Sequence, residues 1–422
     1  MNTLALDRLR GPDTRAIGLV SLAHGFSHFY QLAFPVLFLL IRDEWQVSFS
    51  ALSLIVTVFY VVSGLTQTIA GFAVDRYGAA RVLKGGLALF AGGILLMGLA
   101  PGYEALLACA AVAALGNSVF HPADFAILNA VVAPKRLGPA FSAHGIAGNL
   151  GWALAPGLMT GLAAALGWRG ALIVAGLAGF ALLLVLVAHT ATLTAELDAS
   201  APPAPPAPPA PPAPPAPSPA LARTAAKAPA LVPATGLLKL PVLACFFFFA
   251  LFSAGLIGLQ SFGIPTLSTA FGFTPRGASY ALTGFLLGGA AGILCGGALA
   301  AYSQRHALTA GIGMLAATLL VALAACGLLP PAGTAALLVG AGFLSGLTFP
   351  SRDLLVRGAC SRGNTGAVYG FVYSGLDAGS ALAPLLFGWL LDRGHGAWVF
   401  GGVAVTWCVS LSMIYVVRGQ RT

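Results

Sequence analysis

Long apolar stretches separated by short polar connectors run along almost the whole chain. Each stretch has the roughly 20 residues that a helix needs to cross the hydrocarbon core of a bilayer. The polar–apolar alternation over about ten residues that marks membrane β-strands is missing. We therefore predict an all-α polytopic membrane protein with twelve transmembrane helices, near residues 16–41, 49–73, 82–100, 103–132, 139–166, 169–190, 240–269, 276–302, 307–329, 332–356, 365–391 and 395–417.

The composition agrees with a membrane protein. Charged residues make up 8% and hydrophobic residues 58% of the 422 residues, whereas soluble domains carry roughly 25% charged residues. We assign the net charge of +9 to loops facing anionic lipid and cytosol and expect no nucleic-acid partner. The six cysteines show neither metal-ligand spacing nor a disulfide framework, so we expect no metal.

The distribution of basic residues predicts the orientation. With a cytosolic N-terminus, the outer connectors hold only Arg42, Arg169, Arg276 and Arg393, and nearly all other Lys and Arg lie inside. This asymmetry predicts both termini in the cytosol and a multi-pass protein of the inner (plasma) membrane. The expected units are a cytosolic N-terminus, a six-helix bundle, a cytosolic linker, a second six-helix bundle and a cytosolic tail, over residues 1–15, 16–190, 191–239, 240–417 and 418–422.

The linker contains APPAPPAPPAPPAPPAPSPA, residues 201–220. Such a sequence favours polyproline II and reaches about 60 Å when fully extended. We expect a largely disordered spacer, with binding of a proline-recognising partner as the alternative.

The two predicted bundles are related by an internal repeat. At one constant offset, Pro122 corresponds to Pro350, Gly151 to Gly379, and ALAP at 153–156 to ALAP at 381–384. Two parallel six-span repeats joined by a long linker are typical of alternating-access carriers.

The connector after the second span reads GFAVDRYGAAR, or G-x-x-x-D-R-x-G-x-x-R. It resembles the signature of the major facilitator superfamily at the same place in the fold. The resemblance implies a conformational latch, in which the aspartate meets a helix N-terminus of the other half in the outward-open state. Its residues are Gly71, Asp75, Arg76, Gly78 and Arg81.

The resemblance extends over nearly the whole chain outside the linker. In the second half, GALAAYSQRH at 297–306 has alanine in place of the aspartate. The segments SVFHPADFAILNAVV and FSAHGIAGNLGWALAP, within 118–156, look most like fosmidomycin-resistance-type and monocarboxylate-type carriers.

Polar residues recur at helical spacing inside several spans. Such residues are costly against lipid and by default face a cavity. The resemblance implies that the first, fourth, seventh and tenth spans line that cavity. The candidate substrate and proton pathway comprises His24, His28, Gln31, Asn117, His121, Asp124, Gln260, Arg352, Tyr373 and Asp377.

Arg352 occupies the repeat position of Asp124, so the two are candidates to face each other across the path. Each has a structural alternative: Arg352 can snorkel at a helix end, and Asp124 can form an interhelical salt bridge or hydrogen bond. His24 and His28 can be histidines bonded to neighbouring helices, Asp377 can support the cavity from behind, and Trp152 reads as a packing aromatic.

We find no nucleotide-binding G-x-x-x-x-G-K-[ST] motif and no catalytic set. We therefore predict a secondary active transporter, not an enzyme, that needs no cofactor and uses the proton gradient. Its expected substrate is a small organic anion such as a carboxylate or phosphonate, moved by alternating access. Proton-driven efflux of drugs is the alternative, and a non-transporting sensor on a carrier scaffold is a second one. We expect a monomer in the lipid bilayer.

Overall fold

A computed structural model describes residues 12–133, 136–194, 240–303, 305–359 and 365–419, and the regular structure in these ranges is entirely helical. The first half holds α1 (Pro12–Ala33), a 3₁₀ turn (Pro35–Leu37), α2 (Phe38–Trp45), α3 (Phe49–Tyr77), α4 (Ala79–Leu99), α5 (Tyr103–Asn117), α6 (Phe120–Val131), α7 (Leu137–Ala188) and α8 (Thr190–Thr194). The second half holds α9 (Leu240–Ala270), α10 (Pro275–Tyr302), α11 (His306–Ala325), α12 (Pro331–Ala359), α13 (Thr365–Asp392) and α14 (Ala397–Gly419).

The predicted spans map onto these helices, and two of them, spans one and four, are interrupted. Span one consists of α1 and α2, interrupted at Pro35. Span four consists of α5 and α6, interrupted at Ser118 and Val119. The proline ring of Pro122 clashes with the carbonyl four residues earlier, at Ser118, which explains that break.

Spans five and six form the 52-residue helix α7, which departs from helical geometry at Gly167 (φ 71°). In the described ranges ten helices are long and apolar enough to cross a membrane, with α7 counted once. The apolar stretch Ala397–Met413 of α14 is the shorter twelfth span. The predicted twelve-span architecture is therefore confirmed. Spans two, three and seven to eleven are α3, α4 and α9 to α13.

Predicted span boundaries differ from the structure by up to four residues; span two, for example, continues to Tyr77 rather than 73. Span nine ends at Ala325 rather than near 329, because Gly327 adopts a positive φ of 66° that stops the helix. Within the predicted linker, 191–239, the structure describes only 191–194, which belong to the short helix α8. The rest of the linker, 195–239, lies outside the described residues, as do 1–11 and 420–422.

The internal repeat is visible in the packing of each half. A Cβ added at Gly151 in span five would lie 2.0 Å from the Gly25 carbonyl oxygen in span one. A Cβ at Gly379 in span eleven would lie 2.0 Å from the Ala250 carbonyl oxygen in span seven. The two glycines are repeat partners, and each allows the first and fifth helices of its half to touch backbone to backbone.

The two halves meet near one end of the bundle. We call it the Asp392 end, after the last residue of α13, and the opposite end the Gly78 end, after the turn between α3 and α4. Thr57 donates a hydrogen bond to the Ala381 carbonyl (2.8 Å), and the rings of Phe38 and Phe262 are 5.8 Å apart. All hydrogen bonds between halves whose two partners are both described lie towards the Asp392 end.

Candidate functional site

Four histidines and one aspartate from three spans form a cluster inside the first bundle. Asp124 Oδ2 lies 3.0 Å from His144 Nε2 and 3.4 Å from His24 Nδ1. The rings of His24 and His28 are 4.3 Å apart, and those of His24 and His121 are 5.2 Å apart. Spans one, four and five thus bring their polar faces together at one carboxylate.

Close helix packing creates this cluster. A Cβ at Gly148 would lie 2.8 Å from the His28 ring and 2.9 Å from His24 Nε2. A Cβ at Gly25 would lie 3.0 Å from the Ala147 carbonyl oxygen. The absence of side chains at these glycines lets span five approach span one closely enough for His144 to reach Asp124.

The cluster runs from an exposed histidine to a fully buried carboxylate. Asp124 has 0% exposed surface, and His24 and His144 are also buried, whereas His121 is exposed. Asp124 Oδ1, His24 Nδ1 and His28 Nδ1 are buried without a hydrogen-bond partner. An aspartate at the centre of a membrane helix costs about 2.5–3.5 kcal/mol. Such a costly, incompletely satisfied cluster can bind and pass a proton.

Three members of the cluster, His24, Asp124 and His144, present ligand-type atoms within 4.8 Å of one another, as a metal site would need. The His24 and His144 rings, however, stack with centroids 3.6 Å apart and planes 19° from parallel. An imidazole binds a metal along a lone pair in its ring plane, which two stacked rings cannot both direct at one ion. This arrangement suits proton sharing better than metal coordination.

A second polar network joins spans one, two, four and five. The Trp152 indole N–H donates to Gln31 Oε1 (3.0 Å), and Gln31 Nε2 donates to Asn117 Oδ1 (3.1 Å). Asn117 Nδ2 donates in turn to Ser63 Oγ (2.8 Å). Trp152 also stacks on His28 at 4.1 Å and so connects this network to the histidine cluster. Trp152 is therefore more than the packing aromatic that the sequence suggested.

In the second half, Arg352 is held among aromatic rings. Its guanidinium carbon lies 4.4 Å from the Phe249 and Phe349 ring centroids and 5.6 Å from that of Phe252. Phe249 also lies 4.9 Å from the Tyr373 ring. Cation–π contacts of this kind hold a guanidinium in a fixed orientation at an apolar surface. Arg352 is the only buried Lys or Arg in the described part of the chain.

Asp124 and Arg352, which occupy equivalent repeat positions, are not paired in this structure. The ion pairs of Asp124 are with His24 and His144, and no ion pair joins it to Arg352. Equivalent positions in two halves place residues symmetrically, but each side chain turns towards the neighbours of its own bundle.

The remaining predicted pathway residues lie apart from the cluster. Asp377 lies at the seam between the halves, where a Cβ at Gly64 of span two would lie 3.2 Å from the Asp377 Cβ. Gln260 is buried in span seven, and its Nε2 has no hydrogen-bond partner. Ser253 and Ser380 share a hydrogen bond of 2.6 Å within the second half.

The predicted latch forms a tight turn. Helix α3 ends at Tyr77, Gly78 takes a φ of 87°, and α4 begins at Ala79. Asp75 is exposed and makes no hydrogen bond or ion pair with any described residue. A Cβ at Gly71 would meet nothing within 4 Å, so no described helix approaches span two closely at this glycine.

A small pocket of about 20 Å³, with room for about one water molecule, lies within the first bundle. Its lining includes Tyr30, Gln31, Phe34, Phe59 and Tyr60. The lining is mostly apolar and shares with the polar network only Gln31, so the pocket is separate from the histidine cluster.

Sequence reasoning missed three members of these networks: His144, Ser63 and the hydrogen-bonding role of Trp152. His144 was left out of the candidate pathway, because its helical angle relative to Asn149 indicates only that the two residues do not both face the centre. The usable signal was the residue type itself, because a histidine inside an apolar span needs a polar partner.

Comparison with protein families gives a match to the Major Facilitator Superfamily over residues 18–263 and 246–421. A bacterial homolog of the human lysosomal transporter Spinster, solved in an inward-facing and occupied conformation, superposes with a TM-score of 0.77 over 96% of both chains at 14% identity. Its inward-facing and unoccupied form superposes with a TM-score of 0.71 over 97% of both chains.

Curated relatives match over shorter stretches. The fosmidomycin resistance protein of Escherichia coli is 29% identical over 140 residues, which are 33% of this chain and 34% of that protein. The multidrug resistance protein B homolog of Mycobacterium tuberculosis is 38% identical over 100 residues, which are 24% of this chain and 18% of that protein. The matched stretches thus span a third or less of these relatives' length.

Proposed function

Because the chain belongs to the major facilitator superfamily, we propose that it is a secondary active transporter that moves a small organic anion by alternating access, coupled to protons. The buried cluster of Asp124 with His24 and His144 is the observation that carries the proposal. A buried carboxylate inside a membrane span, beside two imidazoles, is energetically unfavourable. Such residues mark proton or substrate pathways.

The proton enters the cluster at His121, its exposed member, and reaches Asp124 through His24. Binding a proton at Asp124 removes a charge from the interior of the first bundle. It also weakens the contacts of Asp124 with His24 of span one and His144 of span five. Because Asp124, His24 and His144 sit on three different spans, this change repositions helices rather than a single side chain.

The anion preference rests on Arg352. This buried guanidinium lies against the Phe249 and Phe349 rings. A planar guanidinium binds a carboxylate or phosphonate group through parallel hydrogen bonds. We expect Tyr373, which shares the neighbour Phe249, to add its hydroxyl to the same region.

Drug efflux by proton antiport is the second candidate. It is favoured by the names of the relatives, a fosmidomycin resistance protein and a multidrug resistance protein B homolog. Both functions place the protein in the inner (plasma) membrane with cytosolic termini, in which case the Gly78 end faces the cytosol.

The first experiment is a thermal-shift screen of the purified protein against small carboxylates, phosphonates and organic cations, followed by counterflow of each hit in liposomes. We expect anions among the hits and loss of their effect in Arg352→Gln. The matched control is Arg276→Gln, which removes an exposed arginine in the first turn of span eight. Hits confined to cations, or anion binding that survives Arg352→Gln, would contradict the anion proposal.

A further inference from the structure

The carboxylate of Asp392, at the end of span eleven, binds the N-terminus of span two in the other half of the molecule. Asp392 Oδ1 accepts the Phe49 backbone N–H at 2.7 Å, and Oδ2 accepts the Ser50 N–H at 2.8 Å. The Ser50 hydroxyl also donates to Oδ2, at 2.5 Å. One side chain therefore makes three hydrogen bonds across the seam.

These contacts satisfy groups that a helix cannot satisfy itself. The first N–H groups of a helix have no partner within it and carry partial positive charge. In span two, Ser48 accepts the Ala51 N–H at 3.0 Å, and Asp392 takes those of Phe49 and Ser50. The cap of this helix is thus divided between the two halves, and separating them would leave two N–H groups and a carboxylate unpaired.

The seam stays tight beyond the cap. A Cβ at Gly388, one turn before Asp392, would lie 2.7 Å from the Phe49 carbonyl oxygen and 2.6 Å from Ser53 Oγ. Two turns further along span two, Thr57 donates to the Ala381 carbonyl at 2.8 Å. The small residue at 388 allows the backbones to approach closely enough for Asp392 to reach the helix end.

The sequence around Asp392 repeats the pattern of the latch at the other end of the molecule. Residues 388–393 read GWLLDR, and residues 71–76 read GFAVDR. Each segment lies at the end of a helix, span eleven at the Asp392 end and span two at the Gly78 end. In this structure Asp392 is engaged, whereas Asp75 makes no hydrogen bond or ion pair with the described residues.

We propose that Asp392 is a positioning residue that holds the solute path closed at its own end, as the counterpart of the latch at Asp75. The two carboxylates act in alternation: Asp392 caps span two while the path is open at the Gly78 end and releases it when that end closes. This inference rests on the alternating-access function proposed above, but its test reads the conformation directly and needs no substrate.

The test measures distances between spin labels across each end of the protein in lipid nanodiscs. The six native cysteines are first replaced. One label pair, at the exposed positions 43 and 276, spans the Asp392 end, and another, at the exposed positions 77 and 302, spans the Gly78 end. Asp392→Asn should shift the ratio of the two states by about 10-fold or more, within the usual range of conformational coupling. In this variant the distance between positions 43 and 276 should lengthen, and the distance between positions 77 and 302 should shorten.

Glu104→Gln is the matched control, because it removes an exposed carboxylate at the start of span four without touching the seam. Asp392→Glu should retain most of the closed population, since it can still accept both N–H groups. Ser50→Ala deletes only the hydroxyl contact and should give a smaller shift in the same direction, which keeps the test available if Asp392→Asn does not fold.

Unchanged distances in Asp392→Asn and Ser50→Ala would overturn the proposal, as would an equal shift in Glu104→Gln. A change of the two label distances that is confined to the Asp392 and Ser50 variants supports the role of Asp392 in closing the path, even if no solute is found to be transported. Failure of the gate and failure of the transport proposal are thereby distinguished.

Discussion

Replacing Gly151 by alanine tests whether the close contact of spans one and five builds the histidine cluster. The added Cβ would lie 2.0 Å from the Gly25 carbonyl oxygen and 3.1 Å from the Phe29 backbone nitrogen. Because these are backbone atoms, no side chain can rotate away. Non-bonded heavy atoms prefer separations of about 3.5–4.0 Å, so the two helices must move apart by roughly 1.5 Å.

The cost follows from the geometry. Overpacking a tightly packed interior typically costs about 1–3 kcal/mol, and a backbone clash belongs at the upper end of that range. We expect the midpoint of thermal unfolding to fall by roughly 5 °C or more. His144 lies two helical turns before Gly151 on the same helix, so the displacement also stretches its 3.0 Å contact with Asp124.

The assay is thermal unfolding of the detergent-purified protein, followed by tryptophan fluorescence. Gly145→Ala is the matched control, since its Cβ would meet nothing within 4 Å on the same helix. Both variants add one methyl group and gain the same helix propensity. If Gly151→Ala unfolds at the same temperature as Gly145→Ala, the backbone contact between spans one and five does not exist as described.

Three further predictions concern the other polar groups. Asn117→Leu leaves Gln31 Nε2 and Ser63 Oγ without their partner, so thermal stability should fall by about 1–3 kcal/mol; an unchanged unfolding midpoint would contradict the network. Arg352→Lys keeps the charge but loses the planar stacking on the aromatic rings. Anion affinity in thermal-shift titrations should therefore fall about 10-fold, a change of about 1.4 kcal/mol. Equal affinity would argue against recognition by the guanidinium. Asp75→Asn should leave stability unchanged, because Asp75 has no described partner here, yet slow solute exchange in liposomes; unimpaired exchange would remove the latch from the cycle.

The architecture could be predicted because it depends on local properties of the chain. The length of the apolar stretches predicted the number of spans, and the predicted gap between spans five and six contains Gly167, where α7 departs from helical geometry. Pro122 explains the break in span four. Helical spacing also grouped His121 with Asp124 and His24 with His28, because residues one turn apart share a face in any α-helix.

The contacts between helices could not be predicted in the same way. The helical angle of His144 relative to Asn149 does not say which neighbouring span it meets, since that depends on how closely glycines let two backbones approach. The internal repeat suggested that Asp124 faces Arg352, but it relates positions in the fold and not side-chain directions. The hydrogen bonds of Asp392 were missed because their donors include backbone N–H groups, which no residue type marks. The similarity of GWLLDR to GFAVDR was the available signal.

The most direct test of the account measures proton movement together with solute movement in liposomes containing wild-type protein or Asp124→Asn. Asparagine keeps the shape of the buried side chain but cannot bind and release a proton. Asp43→Asn, an exposed carboxylate outside the cluster, is the control. We predict that the wild type and the control move protons with the solute, whereas Asp124→Asn exchanges solute without proton flux. Undiminished proton flux in a folded Asp124→Asn variant would contradict the central claim.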